Sequence, residues 1–215
     1  MDLKRRRLLT AMAGIAASGP AVVVASLSPT PRQSAGPFYP LELPLDDDND
    51  LTFVRGQQAR AKGRITDLAG RIVDLNGNPV NGTRIEIWQC DINGRYRHPR
   101  ENGSKPMDKN FQGHGHAFTD GEGRYRFRTI RPMPYPGRTP HIHVAVFPQG
   151  ERPFVTQLYV KDEPRNQDDF LFNHVPAERR HMVVADFRET GSPEAGLAAE
   201  FDIVLDRRDG TPMEG

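Results

Sequence analysis

Along most of the chain, apolar and polar residues alternate in short stretches broken by turn residues, the pattern of strands that turn one face toward a core. Ala61 to Ile65 leads to Asp67 and Gly70, and Arg71 to Asp74 runs into Asn76-Gly77-Asn78-Pro79, a strong turn. Thr83 to Cys90 alternates, with Ile85, Ile87 and Gln89 on one face and Glu86, Trp88 and Cys90 on the other. Asp91-Ile92-Asn93-Gly94 turns the chain again, and Phe118-Thr119 meets a further turn at Asp120-Gly121-Glu122-Gly123. Arg124 to Arg128, His141 to Phe147, Phe154 to Val160 and Phe201 to Leu205 complete the strands. Only Ala177 to Arg180 and Pro193 to Ala199 leave room for short helical turns. The pattern predicts one all-β domain over residues 31–215, an antiparallel β-sandwich with long loops.

The first thirty residues depart from this pattern. Lys4-Arg5-Arg6-Arg7-Leu8-Leu9 precedes a mild apolar run to Ala25, the layout of an export signal. Paired arginines before two leucines resemble the twin-arginine signal, and Val23-Val24-Ala25 resembles a small-residue cleavage site. The expectation is an exported protein, periplasmic or extracellular, with no stable membrane association once the signal is cut. Ser18, Gly19 and Pro20 interrupt the run and argue against an uncleaved anchor.

Composition narrows the chemistry. The 29 basic and 28 acidic residues give a formal charge of +1, too little for a basic field that would hold nucleic acid. Removing residues 1–25 leaves a net −2, so the basic excess belongs to the leader. A single cysteine excludes an intrachain disulfide framework and any multi-cysteine metal site. A bound metal would need His, Tyr, Asp or Glu. The 20 glycines and 19 prolines follow no collagen period and suit a turn-rich β domain. The acidic run Asp46-Asp47-Asp48-Asn49-Asp50 lacks the glycine and terminal glutamate of an EF-hand and reads as a solvated loop.

His141-Ile142-His143 places two imidazoles on one face of a strand. Such a pair suits a metal, and equally suits two hydrogen-bonded or surface histidines. Tyr135, flanked by Pro134 and Pro136 six residues before the pair, can be held at the strand end with little freedom left to lose. Tyr96 follows the Trp88 strand in a second loop. Each tyrosine reads either as a ligand or as an aromatic lid with its hydroxyl on backbone. If both ligate with both histidines, two phenolates and a hydroxide match the charge of Fe(III), whereas phenolate suits Cu(I) poorly and is unusual for zinc.

The ordered segments Gln33 to Pro40, Ile87 to Asp91 with Gly94-Arg95-Tyr96, Thr119-Asp120 to Pro132, Tyr135 to His143 and Thr156 to Tyr159 resemble the intradiol ring-cleavage dioxygenases, nearest to the iron-bearing β-subunit type that acts on protocatechuate. The resemblance spans the mature chain. It implies a non-haem Fe(III) enzyme that opens a catechol with O2 between its hydroxyl-bearing carbons to a cis,cis-muconate, with 3,4-dihydroxybenzoate or a related ring as substrate. It implies Tyr96, Tyr135, His141 and His143 as metal ligands, Tyr135 as the tyrosine that leaves to act as a base, Arg138 as a fixed charge beside the reacting carbon and Gln157 as a hydrogen-bonding group toward oxygen. It implies too a homo-oligomer or a separate α-like subunit.

The chain departs from the family at several points. The segment from Tyr135 to His141 is short and has Gly137 where the protocatechuate enzymes carry a bulky aromatic, and the helical N-terminal region of the catechol and hydroxyquinol enzymes is missing. His114-Gly115-His116, a second H-x-H pair, lies among glycines and reads as a surface or loop pair. His98 reads as a neighbour of the ligands, His174 and His181 as loop histidines, and Cys90 as a small buried hydrophobe. The competing reading is a non-catalytic sandwich: Gly77 to Val80, Thr119-Asp120 and Gly123 to Tyr125 also resemble transthyretin-like and carboxypeptidase-regulatory-like binding modules, which do not require the Tyr135 to His143 set.

Overall fold

The computed structural model describes residues 26–43, 46, 48–191 and 196–207. The leader read at residues 1–25 lies outside them. Among the described residues ten strands form two five-stranded sheets: β1 (Ile65–Asp74), β2 (Arg84–Trp88), β3 (His114–Phe118), β4 (Arg124–Ile130), β5 (His141–Phe147), β6 (Phe154–Val160), β7 (Val184–Ala185), β8 (Arg188–Glu189), β9 (Leu197–Glu200) and β10 (Ile203–Leu205). The first sheet is built on β1, which pairs antiparallel with β4 and parallel with β9 and β10. The second runs β3-β2-β5-β6-β7, antiparallel except for β6 with β7. The two-sheet, all-β architecture is the expected one, but the sheets are mixed. Among the described residues helix is limited to α1 (Phe170–His174) and two 3-10 segments, Pro164–Gln167 and Ala177–Val183. Among the described residues no helix is long and apolar enough to cross a membrane.

Alternation decides what each face of the second sheet does. Ile85 and Ile87 of β2, Ile142, Val144 and Val146 of β5, and Phe154 and Leu158 of β6 join Leu68, Ile72, Phe127 and Ile203 of the first sheet in one buried cluster. Each such side chain stabilises the fold by roughly 1.5–3 kcal/mol. The alternate residues of the same strands face the other way. Because directly paired residues share a face, the register sets His114, Trp88, His143 and Gln157 side by side across four strands.

That outer face is covered rather than solvated. The arm of residues 26–43 starts along β10 of the first sheet, where the Thr30 N–H bonds the Val204 carbonyl (2.9 Å), and reaches the second sheet at Gln33, whose N–H bonds the Val155 carbonyl (2.8 Å). Trp88, Cys90, Tyr96 and Ala145 are buried beneath Ala35, Phe38 and Tyr39. This sheet is therefore buried on both faces.

Three local expectations are corrected. Ile65–Asp74 is one ten-residue strand, uninterrupted at Asp67 and Gly70. A Cβ at Gly70 would stand 1.9 Å from the Phe201 carbonyl oxygen, so this glycine admits a neighbouring backbone instead of marking a turn. Of Pro193 to Ala199, read as room for a helical turn, residues 197–199 are strand. His114 and His116 lie on β3, not in a loop, and His114 is buried.

Candidate metal centre

The two histidines begin β5, where a strand spacing of two turns both rings to the outer face. Both are about 1% exposed. The Thr139 carbonyl accepts from His141 Nδ1 (2.6 Å), which places the proton there and leaves Nε2 as the lone-pair nitrogen. His141 Nε2 and His143 Nε2 lie 3.2 Å apart. Burial depresses both imidazoles, His141 to about 3 and His143 well below its ordinary value, so both are neutral donors at physiological pH.

Tyr135 approaches from the preceding loop. Tyr135-Pro136-Gly137-Arg138 is a tight turn closed by the Arg138 N–H to the Tyr135 carbonyl (2.9 Å). Proline at its second position and Gly137 at φ +79° in its third are the type II pattern. Tyr135 and His141 have ring centroids 5.5 Å apart. Tyr96 comes from the loop after β2, which Asp91 organises by accepting from the Asn93 and Arg95 N–H groups (2.8 and 3.0 Å). Tyr96 is 2% exposed, with its ring centroid 5.4 Å from that of Tyr135 and 6.2 Å from that of His143. Burial raises both phenols, Tyr96 the more strongly; at Tyr135 the Arg138 charge and hydrogen bond oppose the rise.

The arm closes the set from above. Phe38 stacks on Tyr96 (4.7 Å) and meets Tyr135 edge-on (5.8 Å). Gly36, at φ +68°, lies so close to His143 that a Cβ would stand 3.2 Å from His143 Cε1. Trp88 supports His143 from below as a parallel stack. Tyr39 packs edge-on against Trp88 and donates to Glu86 Oε2 (2.8 Å), which lies 3.2 Å from His114 Nε2. His114 thus takes part in the support under Trp88. His98 is buried with its ring against Phe38 (5.8 Å), and Cys90 is buried with its thiol pushed up to about 12 by burial, a packing residue.

Arg138 and Gln157 border the same point. Arg138 Nη1 lies 3.3 Å from Tyr135 Oη and 3.4 Å from His141 Nε2. Gln157 Oε1 accepts from Arg138 Nη2 (2.6 Å) and from Tyr159 Oη (3.1 Å), while its Nε2 donates to the Ser34 carbonyl (2.8 Å). Gln33 of the arm takes the Tyr159 hydroxyl (2.6 Å) and donates to the Gln157 carbonyl (3.2 Å). Sequence reasoning missed Asp169, which pairs with Arg138 (Nε to Oδ2, 2.8 Å), along with Phe38, Tyr39, Trp88 and Glu86. The one available signal for Asp169 was its place as the cap of a short helix.

These residues fit a metal cation. The Tyr96 hydroxyl is buried without a hydrogen-bond partner, an arrangement that costs about 1–3 kcal/mol unless something else takes its lone pairs. Two neutral imidazole nitrogens converge 3.2 Å apart, one of them on the His143 ring 6.2 Å from the Tyr96 ring. Among the described residues no group of three or more His, Cys, Asp or Glu could hold a metal, so phenols must complete any donor set here. A cavity of about 770 Å³ adjoins the site, bounded by Phe38, Leu41, Leu43, Trp88, Tyr96 and Met107, within the size range of small-molecule sites.

Comparison with known proteins identifies a family. The family described as Dioxygenase matches residues 35–207. The protocatechuate 3,4-dioxygenase beta chain of Burkholderia cepacia is 37% identical over 206 residues, covering 91% of this chain and 87% of that one. The catechol 1,2-dioxygenase of Acinetobacter baylyi is 31% identical over 212 residues, covering 83% of this chain but only 62% of its own length. Among solved structures, the dioxygenase domain of a dioxygenase carbohydrate-binding fusion from Streptomyces sp. SirexAA-E has a TM-score of 0.62 at 31% identity, over 83% of this chain and 99% of that one.

Proposed function

The chain belongs to the intradiol ring-cleavage dioxygenases, and from that premise we propose that it is an Fe(III) enzyme that opens 3,4-dihydroxybenzoate or a closely related catechol to a cis,cis-muconate. Membership sets aside the non-catalytic binding module. The observation that carries the ferric reading is the buried, partnerless Tyr96 hydroxyl on a ring 6.2 Å from that of His143, whose Nε2 meets His141 Nε2 at 3.2 Å. Tyr96, Tyr135, His141 and His143 would hold the iron, which when bound would supply Lewis acidity toward the catechol oxygens and reactivity with O2. Binding would release the phenol protons that burial otherwise retains.

The chain's own residues divide the remaining work. Tyr135 is half-buried while Tyr96 is enclosed, so Tyr135 is the phenol with room to leave and take a catechol proton at Oη. Arg138 presents Nη1 toward that hydroxyl and offers a preorganised positive charge to a ring gaining electron density. Gln157 Oε1 is committed to Arg138 and Tyr159, so its influence on the substrate runs through the guanidinium. Phe38 and Trp88 exclude water from the donors.

Export through the twin-arginine-like leader and assembly as a homo-oligomer or with an α-like subunit belong to the same proposal; the Burkholderia relative is named a beta chain. The deciding experiment is iron loading of the purified protein, then a panel of catechols under labelled O2. The expected product carries both oxygen atoms and is cut between the two hydroxyl-bearing carbons. A product cut beside them, or no ring opening on any catechol, overturns the reading.

A further inference from the structure

We propose that Asp169 is a positioning residue that fixes which edge of the Arg138 guanidinium faces the substrate; this rests on the catechol-cleaving reading, in which Arg138 acts on the ring. The Arg138 and Asp169 side chains are 6% and 0% exposed. Arg138 Nε donates to Asp169 Oδ2 (2.8 Å), Nη2 lies 3.5 Å from Asp169 Oδ1 and donates to Gln157 Oε1 (2.6 Å). Nη1 is left for Tyr135 Oη and His141 Nε2. A guanidinium is a rigid planar fork, so holding Nε and Nη2 determines where Nη1 points.

The carboxylate is itself anchored by backbone. Oδ2 accepts from the Thr139 N–H (2.9 Å), two residues before β5, and Oδ1 from the Phe172 N–H (2.9 Å) in the first turn of α1. Asp169 thus ties the guanidinium to the segment that carries His141. A buried ion pair adds little net stability by itself, but it holds an orientation well. Phe170 lies over the guanidinium at 5.7 Å and is 57% exposed, so a released Arg138 would have a path past it to solvent.

Both carboxylate oxygens face donors, so an asparagine must turn its NH2 toward hydrogens it cannot accept. Asp169→Asn should lower kcat on a catechol about 10- to 100-fold while leaving KM nearly unchanged. In an Arg138→Lys background, where no fork remains to be held, the same substitution should cost less than about threefold. A readout independent of turnover is the Arg138 Nε–H in a nitrogen–proton correlation spectrum, which should exchange slowly with water in the wild type and rapidly in Asp169→Asn. Equal losses of kcat in both backgrounds, or an Nε–H still protected in Asp169→Asn, would overturn the inference. Failure of the unsubstituted, iron-loaded protein to open any catechol would overturn the parent reading, and the exchange comparison alone then decides this one.

Discussion

The Trp88 indole lies flat against the His143 imidazole, centroids 4.9 Å apart and planes 5° from parallel. The stack follows from register: the two residues are direct partners on β2 and β5, and both point to the outer face. Trp88→Ala should therefore do two things. It should destabilise the metal-free protein by about 3–5 kcal/mol, as large aromatic deletions from a core do, and it should loosen iron retention by freeing the His143 ring. Chemical denaturation reads the first and metal content after dialysis the second. Iron held as tightly as in the wild type would refute the supporting role.

Gly36 tests how tightly the arm must approach. Gly36→Ala forces an L side chain into positive φ, at a cost of about 1–2 kcal/mol, and brings its Cβ to 3.2 Å from His143 Cε1. The expected result is a small drop in melting temperature with a disproportionate loss of bound iron. Gly150, which has open space around its Cβ position at a similar φ of +74°, is the control, since its alanine variant should lose stability alone.

The two phenols should separate by experiment. Ferric protein should be coloured by tyrosinate-to-metal charge transfer. Tyr96→Phe should lose most of its iron, whereas Tyr135→Phe should keep iron with a shifted colour and lose ring opening. Removing iron from the wild type by chelation should lower the melting temperature, because a ligand present at a hundred times its Kd stabilises by about 2.7 kcal/mol. A colourless wild-type preparation after iron loading contradicts the tyrosinate assignment.

Glu86 sets part of the acid limb of stability. Burial raises its carboxyl, but hydrogen bonds from His114 and Tyr39 and the charge of Arg84 more than offset this and hold it below the ordinary glutamate value of about 4.3. A depressed folded pKa gives stability that is present above the unfolded value and lost as pH falls through the folded one. Melting temperatures between pH 3 and 7 should fall less steeply on the acid side in Glu86→Gln than in the wild type. Parallel curves would show that Glu86 is not linked.

The strands that carry the chemistry were the legible ones. His141–Phe147 and Phe154–Val160 have the bounds read from sequence, because β-branched residues alternate through the first and both run without a glycine or proline to break them. The misread strands owe their state to distant partners. Leu197–Glu200 has no pattern of its own and forms because β1 accepts it as a parallel neighbour. Asp67 looked like a turn signal but sits mid-strand, where Arg128 of β4 neutralises it at 2.8 Å. His114 looked like loop because glycines flank it, yet pairing with Trp88 carries it into the sheet. Tyr96, Tyr135, Arg138, His141, His143 and Gln157, singled out by the resemblance, are neighbours in the structure. The layers behind them, Trp88 under His143 and Asp169 behind Arg138, were invisible because both are set by register and by a contact 31 residues away in the chain.

Gln33 meets Gln157 across 124 residues of sequence, and the same early segment brings Gly36 and Phe38 over donors found only after residue 95. During synthesis the arm emerges long before its partners, so the centre can close only once the chain has been made past Gln157, and it does so at the expense of wide loops. A half-made chain has no enclosed pair of imidazoles with which to trap a stray cation.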